Sequence, residues 1–349
     1  TASGLWFLSF ALMQLPVGWS LDRIGPRRTA SILLLFGGSG GAALFALASS
    51  TFQIKLAMLL IGIGCSPVLM ASYYIFAREF PPARFATLAA LMLGMGSVGN
   101  LVASYPMAIA IDLIGWRGSL AALSAASAAV AVGVLLTVRD PQTANGDRSG
   151  SVLDLLKMPV MWAILPMMLV NYAPVGALRG LWVGPYLSDV FDLSTTQVGQ
   201  ATLIMGLAMI AGTLSYGPLD RVFGTRKWVV FFGNLACTAS LFLLVLTIDR
   251  NVFLSVGLIA LIGFLGGSFP VIIAHGRSFF PPELVGRGVT LMNLFGIGGV
   301  GLMQFASGRV HETLTGATAT TPFVAIFLFF ALVLLTGTLI YAFSRDSLD

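Results

Sequence analysis

Long apolar runs alternate with short polar segments along the whole chain. A helix needs about 20 mostly apolar residues to cross the hydrocarbon core of a bilayer. On that measure the pattern predicts eleven membrane-spanning helices. They cover residues 1–20, 29–49, 53–77, 85–111, 117–138, 160–187, 198–218, 227–247, 252–276, 286–309 and 321–343. The sequence therefore predicts an all-α polytopic membrane protein.

A densely charged elbow joins the first two apolar runs and recurs in the second half of the chain. Residues 18–28 read GWSLDRIGPRR, and residues 217–227 read GPLDRVFGTRK. Both copies keep a glycine, an Asp-Arg pair, a second glycine and two bases in the same order. A Pro-Pro pair at 81–82 also recurs at 281–282. Both motifs recur at nearly the same distance along the sequence, so the chain is predicted to consist of two related halves.

The first elbow resembles the loop between the second and third helices of the major facilitator superfamily of secondary transporters. The family pattern is Gly-x3-Asp-Arg-x-Gly-Arg-Arg, and the matching positions are Gly18, Asp22, Arg23, Gly25, Arg27 and Arg28. The resemblance implies a conformational latch on the cytoplasmic face, which breaks when the carrier changes state. The second elbow would supply a matching latch from Gly217, Asp220, Arg221, Gly224, Arg226 and Lys227.

The same resemblance implies two pseudo-symmetric six-helix bundles, with a substrate site between them near the membrane midplane. The eleven predicted spans would then be eleven of twelve helices, with the first one missing upstream. The expected N-terminal bundle covers 1–138 and holds helices 2–6, and the C-terminal bundle covers 159–349 and holds helices 7–12. A cytoplasmic linker over 139–158 would join them and contain a short surface helix near Asp154.

Basic residues are distributed unevenly among the predicted loops. With the elbows placed inside, the inner loops carry fourteen Lys and Arg residues and the outer loops carry four. Cytoplasmic loops are enriched in these bases. The pattern therefore predicts a multi-pass protein of the plasma (inner) membrane with a cytoplasmic C-terminus.

The composition agrees with a surface that faces lipid. Hydrophobic residues make up 57% of the chain and charged residues 9%, whereas a soluble domain carries roughly 25% charge. The net charge of +5 is spread over short loops, so nucleic acid is not predicted as a partner. Cys65 and Cys237 lie in separate apolar runs, and we predict no disulfide, metal site or cofactor. Duplicated halves on one chain favour a monomer that binds a small-molecule substrate within the lipid bilayer.

Arg179 is the charged residue that stands well inside an apolar run. An unpaired charge at the bilayer centre costs about 2.5–3.5 kcal/mol on an insertion scale, so it is expected to face the protein interior. Ideal helical spacing places Asn171, Arg179, Trp182 and Tyr186 near one face. The resemblance implies that this helix lines the central cavity. Arg179 then either binds an anionic group of the substrate or pairs structurally with carbonyls or with Asp189.

The candidate substrate-binding residues are Arg179, Asn171, Tyr172, Trp182 and Tyr186 on this run, with Asn100 and Gln14 as weaker candidates elsewhere. Met205 and Met209 share a helical face and could offer two thioethers to copper. Since no His or Cys accompanies them at helical spacing, packing is the favoured interpretation. No Asp or Glu lies deep in a predicted span, which counts against a proton-driven mechanism.

The predicted function is secondary active transport of a small solute by alternating access. Glycine-rich stretches loosely resemble those of nitrate and small-anion carriers, but only Gly99 and Asn100 fit that signature. A small organic anion is the favoured substrate class, on Arg179 alone. A drug or metabolite efflux carrier is the main alternative, and a copper carrier, a channel and a membrane enzyme rank below it. His275 and His311 are isolated in the sequence, and no catalytic constellation accompanies them.

Overall fold

The computed structural model describes residues 2–80, 82–102, 105–141, 152–281, 284–314 and 318–347, and every regular element among them is helical. The α-helices are α1 (Ala2–Leu12), α2 (Gln14–Arg23), α3 (Pro26–Leu33), α4 (Gly40–Leu47), α5 (Thr51–Glu79), α6 (Pro82–Val102), α7 (Tyr105–Thr137), α8 (Val152–Leu156), α9 (Met161–Asn171), α10 (Ala173–Ala177), α11 (Val183–Phe191), α12 (Thr195–Phe223), α13 (Lys227–Leu246), α14 (Val252–Leu265), α15 (Phe269–Arg277), α16 (Val285–Thr313) and α17 (Thr321–Tyr341). π-Helical turns at Leu34–Ser39 and Leu178–Trp182, and a 3₁₀ turn at Gly266–Ser268, connect some of them.

Ten segments of the described chain are long and apolar enough to cross a membrane. They correspond to ten of the eleven predicted spans, so the prediction of an all-α polytopic membrane protein is confirmed. The remaining predicted span, 85–111, falls on α6 and the beginning of α7, and positions 103 and 104 within it lie outside the described residues. Helix α7 turns at Gly115, whose φ of 72° marks the predicted boundary between two spans.

The chain divides into two compact units. The first contains Thr1–Leu155 and Phe280–Gly298, and the second contains Leu156–Phe279 and Gly299–Asp349. Helix α8 begins at Val152, close to the predicted start of the linker helix. The division into bundles at 138 and 159 stays a prediction.

Small residues let the helices of each unit approach closely. In the first unit a Cβ on Gly64 of α5 would overlap the backbone of Gly38 in the π-helical turn. In the second unit a Cβ on Gly212 of α12 would overlap the carbonyl oxygen of Phe264 in α14. Close backbone approach through small residues is how helices associate in lipid, where burial of apolar surface gives little driving force.

Both predicted elbows are present as tight turns between helices. The first runs from Arg23 at the end of α2 to Pro26 at the start of α3, through Gly25 with a φ of 96°. A Cβ at Gly25 would also lie 2.6 Å from Oδ1 of Asp140, so glycine is required there for two reasons. The second elbow ends α12 at Gly224, a left-handed C-cap with a φ of 63°.

Candidate functional site

The span Met161–Phe191 is one membrane-crossing segment built from several short helical pieces. Helix α9 ends at Asn171, α10 begins one residue before Pro174, and a π-helical turn follows at Leu178–Trp182. Proline removes a backbone donor, and π-helical turns insert an extra residue and occur often at functional sites. Arg179 lies in this turn, three residues past the midpoint of the span.

The predicted site residues of this span differ in exposure. Asn171, Trp182 and Tyr186 are buried, at 1%, 6% and 0% exposure. Arg179 and Tyr172 are half-buried and lie with Gly176 on a more open stripe. The shared face that ideal helical spacing places Asn171, Arg179 and Tyr186 on stays a prediction.

The guanidinium of Arg179 lies against α12, where Gly206 leaves space for it. A Cβ on Gly206 would lie 3.6 Å from Nη2 of Arg179, in ordinary contact. Within the described residues Arg179 has no hydrogen bond or ion pair. Asp189, the expected structural partner, instead accepts a hydrogen bond from the Ser188 hydroxyl at 3.2 Å. The structure thus leaves a cation inside a membrane span without a described partner.

Two further polar side chains lie near Arg179 in the second unit. Tyr172 precedes Arg179 by two helical turns, and the Arg179 charge acts on its phenol. The Tyr172 ring contacts Phe269 edge-on, with 5.6 Å between the ring centroids. Gln304 of α16 lies beside the next residue of the span, since a Cβ on Gly180 would be 3.5 Å from its Nε2. The open stripe therefore offers a guanidinium and a phenol, with the buried amide of Gln304 beside it.

The other three candidates on this span make hydrogen bonds inside the unit, and Oδ1 of Asn171 is buried without a partner among the described residues. Asn171 Nδ2 donates to Oδ1 of Asn234 at 2.7 Å and to Oγ of Ser268 at 2.8 Å. Trp182 Nε1 donates to Oγ of Ser307 at 3.0 Å. These bonds hold helices together.

Tyr186 is anchored in the same way at the far end of the span. Its hydroxyl donates to the carbonyl of Ile248 at 2.6 Å and lies 2.9 Å from Oγ of Ser255. Asn171, Trp182 and Tyr186 therefore each link helices of the unit, and their role in substrate binding stays a prediction.

Gln14 is fully buried in the first unit. Its Nε2 donates to the carbonyls of Phe10 and Ser66 at 3.1 and 3.4 Å, and its Oε1 has no partner. Nδ2 of Asn293, on α16, is a second buried atom without a partner. The side chain of Asn100, the remaining candidate, lies outside the described residues.

The first elbow is anchored by an acidic residue that follows α7. Oδ1 of Asp140 accepts a hydrogen bond from the backbone N–H of Arg27 at 2.8 Å. Nε of Arg27 donates to the carbonyl of Leu135 at 2.7 Å, and the guanidinium of Arg23 lies 5.2 Å from the Trp19 ring. The Asp22 side chain, predicted to be the centre of this latch, lies outside the described residues.

The second elbow is anchored in the same way by Asp346, which follows α17. Oδ1 of Asp346 accepts from the backbone N–H groups of Arg226 and Lys227 at 3.2 and 3.0 Å, and Oδ2 accepts from the Thr225 hydroxyl. Nε of Arg226 pairs with Oδ2 of Asp220 at 3.2 Å. Each carboxylate thus satisfies amide groups at a helix start, which have no partner within the helix itself.

Partial burial alone would raise the pKa of Asp346. The hydrogen bonds from Thr225 and from the backbone of Lys227 and Arg226, together with the influence of His275, outweigh burial and hold the pKa below its ordinary value. The carboxylate is therefore in its charged, accepting form at neutral pH.

Sequence reasoning missed both anchors, although the chain carried a signal for them. An Arg-Asp pair follows the last helix of each half, at Arg139-Asp140 and Arg345-Asp346. The copper hypothesis gains no support, because Met205 and Met209 both pack on Gly263, where a Cβ would lie 3.1 Å from the Cγ of each. Packing explains these two methionines.

Comparison with known proteins covers nearly the whole chain. The model of the Major Facilitator Superfamily matches residues 1–181 and again residues 171–348. A search of curated proteins finds no match. Among solved structures, a single-residue variant of the E. coli fucose:proton symporter FucP superposes with a TM-score of 0.73 and 14% identity, covering 99% of this chain and 91% of that one. At this identity the likeness shows the fold alone.

Proposed function

The chain belongs to the Major Facilitator Superfamily of secondary transporters, and we propose that its substrate is a small solute with an anionic group that Arg179 binds. The observation that carries the proposal is a cation near the middle of a membrane span with no partner in the described chain. An uncompensated charge at that depth is costly. An anionic substrate group would compensate the Arg179 charge while it is bound. The free energy gained would give the site affinity for anions and selectivity against neutral solutes.

The neighbours of Arg179 suit a small and partly polar ligand. Gly206 places no side chain against the guanidinium, and the Tyr172 phenol and Gln304 amide can donate or accept hydrogen bonds. The planar guanidinium matches the geometry of a carboxylate, to which it can donate two parallel bonds. A small carboxylate with a second polar group therefore fits the stripe better than a large apolar drug does, and efflux of such drugs is the weaker candidate.

Binding by Arg179 can be tested on the purified protein by ligand-induced thermal stabilisation. We expect lactate or malate to raise the melting temperature of the wild type, and the neutral amides of the same acids to have no effect. Arg179→Gln should raise the apparent Kd for these carboxylates, obtained from the melting curves, by about 10-fold or more. The reason is that a hydrogen bond to a charged group contributes about 1.5–3 kcal/mol. Arg179→Lys keeps the charge and should retain part of the response.

A matched control is Arg309→Gln, which removes an exposed Arg of the same unit that pairs with Glu312 at 3.3 Å. Its response to carboxylates should equal that of the wild type. If Arg179→Gln binds the carboxylates as tightly as the wild type, the anionic role of Arg179 is refuted. Saturable counterflow in proteoliposomes would separately distinguish a carrier from a channel.

We further propose that the two elbows are latches on the cytoplasmic face, so that the C-terminus is cytoplasmic in the inner membrane. The support is the duplicated motif and the excess of bases on that side. A contact worth about 1.4 kcal/mol in one state shifts the balance between two states tenfold. Asp22→Asn should therefore slow transport while the melting temperature stays unchanged. Wild-type flux from a folded Asp22→Asn protein would contradict the latch.

A further inference from the structure

An apolar groove lies between α9 and α17 in the second unit. Its volume is about 310 Å³, and its lining includes Pro166, Val170, Val333, Thr336 and Ile340. The one hydroxyl in this group, on Thr336, donates to the carbonyl of Leu332 in its own helix at 2.8 Å. The groove therefore offers no free polar group and suits a hydrocarbon chain.

The groove has the depth of one leaflet. Ile340 lies one residue before the end of α17, and Leu332, also in the lining, lies nine residues before it. At 1.5 Å per residue the groove reaches about 13 Å from the helix end, and one leaflet contributes roughly half of the ~30 Å hydrocarbon core. The hydrocarbon available at that depth is the acyl chain of a membrane lipid.

Two exposed aromatic side chains stand at the shallow end of the groove. Trp162 is 72% exposed and precedes Pro166 by four residues, and Phe343 is 86% exposed and follows Ile340 by three. These spacings continue the two helix faces that line the groove. Tryptophan is enriched at the level of lipid headgroups, so Trp162 indicates that the shallow end lies where a phosphate would be.

The chain carries a cation, Arg345, two residues after Phe343. The carbonyl of Arg345 accepts a hydrogen bond from Nε2 of His275 at 2.8 Å, and the neighbouring Asp346 binds the second elbow through Arg226 and Lys227. The guanidinium of Arg345 is exposed and makes no hydrogen bond or ion pair in the part of the chain that the structure describes. Its position is thus set by its neighbours while its charge stays available.

We propose that this groove binds an acyl chain of an anionic phospholipid, whose phosphate contacts Arg345. Charge complementarity selects the anionic lipid, because a zwitterionic headgroup offers a phosphate that its own cation already compensates. The bound lipid would also steady the segment that carries Asp346, which anchors the second elbow. The lipid composition of the leaflet would in this way regulate a latch of the transporter.

The proposal can be tested by native mass spectrometry and thermal melting of the purified full chain, without knowledge of the transported substrate. The probes are dioleoyl phosphatidylglycerol, dioleoyl phosphatidylcholine and soluble glycerol phosphate. We expect the wild type to retain one phosphatidylglycerol preferentially and to melt at a higher temperature with it. Glycerol phosphate, which lacks acyl chains, should not compete.

Two variants separate the headgroup from the groove. Arg345→Gln should weaken phosphatidylglycerol binding roughly fivefold and leave phosphatidylcholine unchanged, as expected for one basic residue near an anionic surface. Thr336→Trp fills the groove without breaking a bond to another helix, and should weaken both lipids. The control for Arg345→Gln is Arg250→Gln, which changes an exposed Arg beyond the C-terminal end of α13. The control for Thr336→Trp is Leu328→Trp, at an exposed position of α17 outside the groove.

Several results would overturn the proposal. They are equal retention of both lipids by the wild type, unchanged phosphatidylglycerol binding by Arg345→Gln, and competition by glycerol phosphate. Loss of binding in the two control variants to the same degree would also overturn it. Each variant must melt like the wild type without added lipid, and Arg345→Lys, which keeps the charge, should restore binding if Arg345→Gln melts lower.

Discussion

The anchor between Asp346 and the second elbow gives the sharpest test of the structure. Replacement of Asp346 by Ala removes the acceptor of the Arg226 and Lys227 amide groups and of the Thr225 hydroxyl. The Trp228 amide keeps its own acceptor, Oγ of Thr225, at 3.2 Å. The change should therefore loosen the first turn of α13 while the rest of the helix persists.

The magnitude follows from what helix caps contribute. Loss of a capping side chain costs about 0.5–2 kcal/mol, and the Asp346 carboxylate serves two amide groups, so we expect about 1–2 kcal/mol. That free energy corresponds to roughly 5- to 30-fold more frequent opening of the turn. Asp346→Asn keeps a neutral acceptor oxygen and should have a smaller effect.

Amide hydrogen exchange of the protein in detergent measures this opening directly. The Arg226 and Lys227 amides should exchange roughly 5- to 30-fold faster in Asp346→Ala, and amides in the middle of α13 should not change. Asp249→Ala is the matched control, because Asp249 is an exposed aspartate just beyond the opposite end of the same helix. Equal exchange of the two elbow amides in Asp346→Ala and wild type would refute the anchoring role.

The pH dependence of the same exchange has a definite sign. The pKa of Asp346 in the folded protein is lower than its ordinary value of 3.8. A carboxylate with a depressed pKa contributes stability above its unfolded pKa, and that stability is lost as the pH falls through the folded pKa. Protection of the elbow, corrected for intrinsic exchange, should therefore be constant between pH 5 and 8 and fall below about pH 3.8.

Two other predictions concern stability and can be measured by thermal melting. Asn293→Leu removes a buried Nδ2 that has no partner and should stabilise the fold by about 1 kcal/mol, so a lower melting temperature would mean that the amide is satisfied in solution. Gly212→Ala should destabilise the second unit by several kcal/mol, because the new methyl would overlap the Phe264 carbonyl. Gly199→Ala in the same helix meets no atom within 4 Å and should be neutral or slightly stabilising.

The helices were predictable because the membrane leaves few alternatives. Every backbone polar group in lipid must be satisfied within the segment, so an apolar run of about 20 residues forms a helix whatever its details. The elbows were predictable from their charge and from Gly25 and Gly224, which adopt the positive φ angles that glycine favours. Local chemistry was sufficient in each of these cases.

The arrangement around Arg179 was only partly predictable. Its depth in the span follows from the sequence, whereas the π-helical turn at Leu178–Trp182 that contains it was not predicted. Trp182, the last residue of this turn, donates a hydrogen bond to Ser307, 125 residues later in the chain, and a contact so distant in sequence was not predictable. The surroundings of Arg179 from α12 and α16 could likewise be found only from the fold.

The two anchors bear on the proposal that the elbows are latches. A latch transmits force only if it is rigid relative to the body that carries it, since a loose elbow would lose its contacts without moving the helices. The described anchors of the first elbow, Asp140 and Leu135, lie in the first unit, and Asp346, the anchor of the second elbow, lies in the second unit. Each elbow is therefore coupled to its own unit, and under the latch proposal the free energy of a latch contact would act on the whole unit instead of on a loop. If Asp346→Ala loosens the second elbow, transport should slow for the same reason as in Asp22→Asn, although no residue of the substrate site has changed.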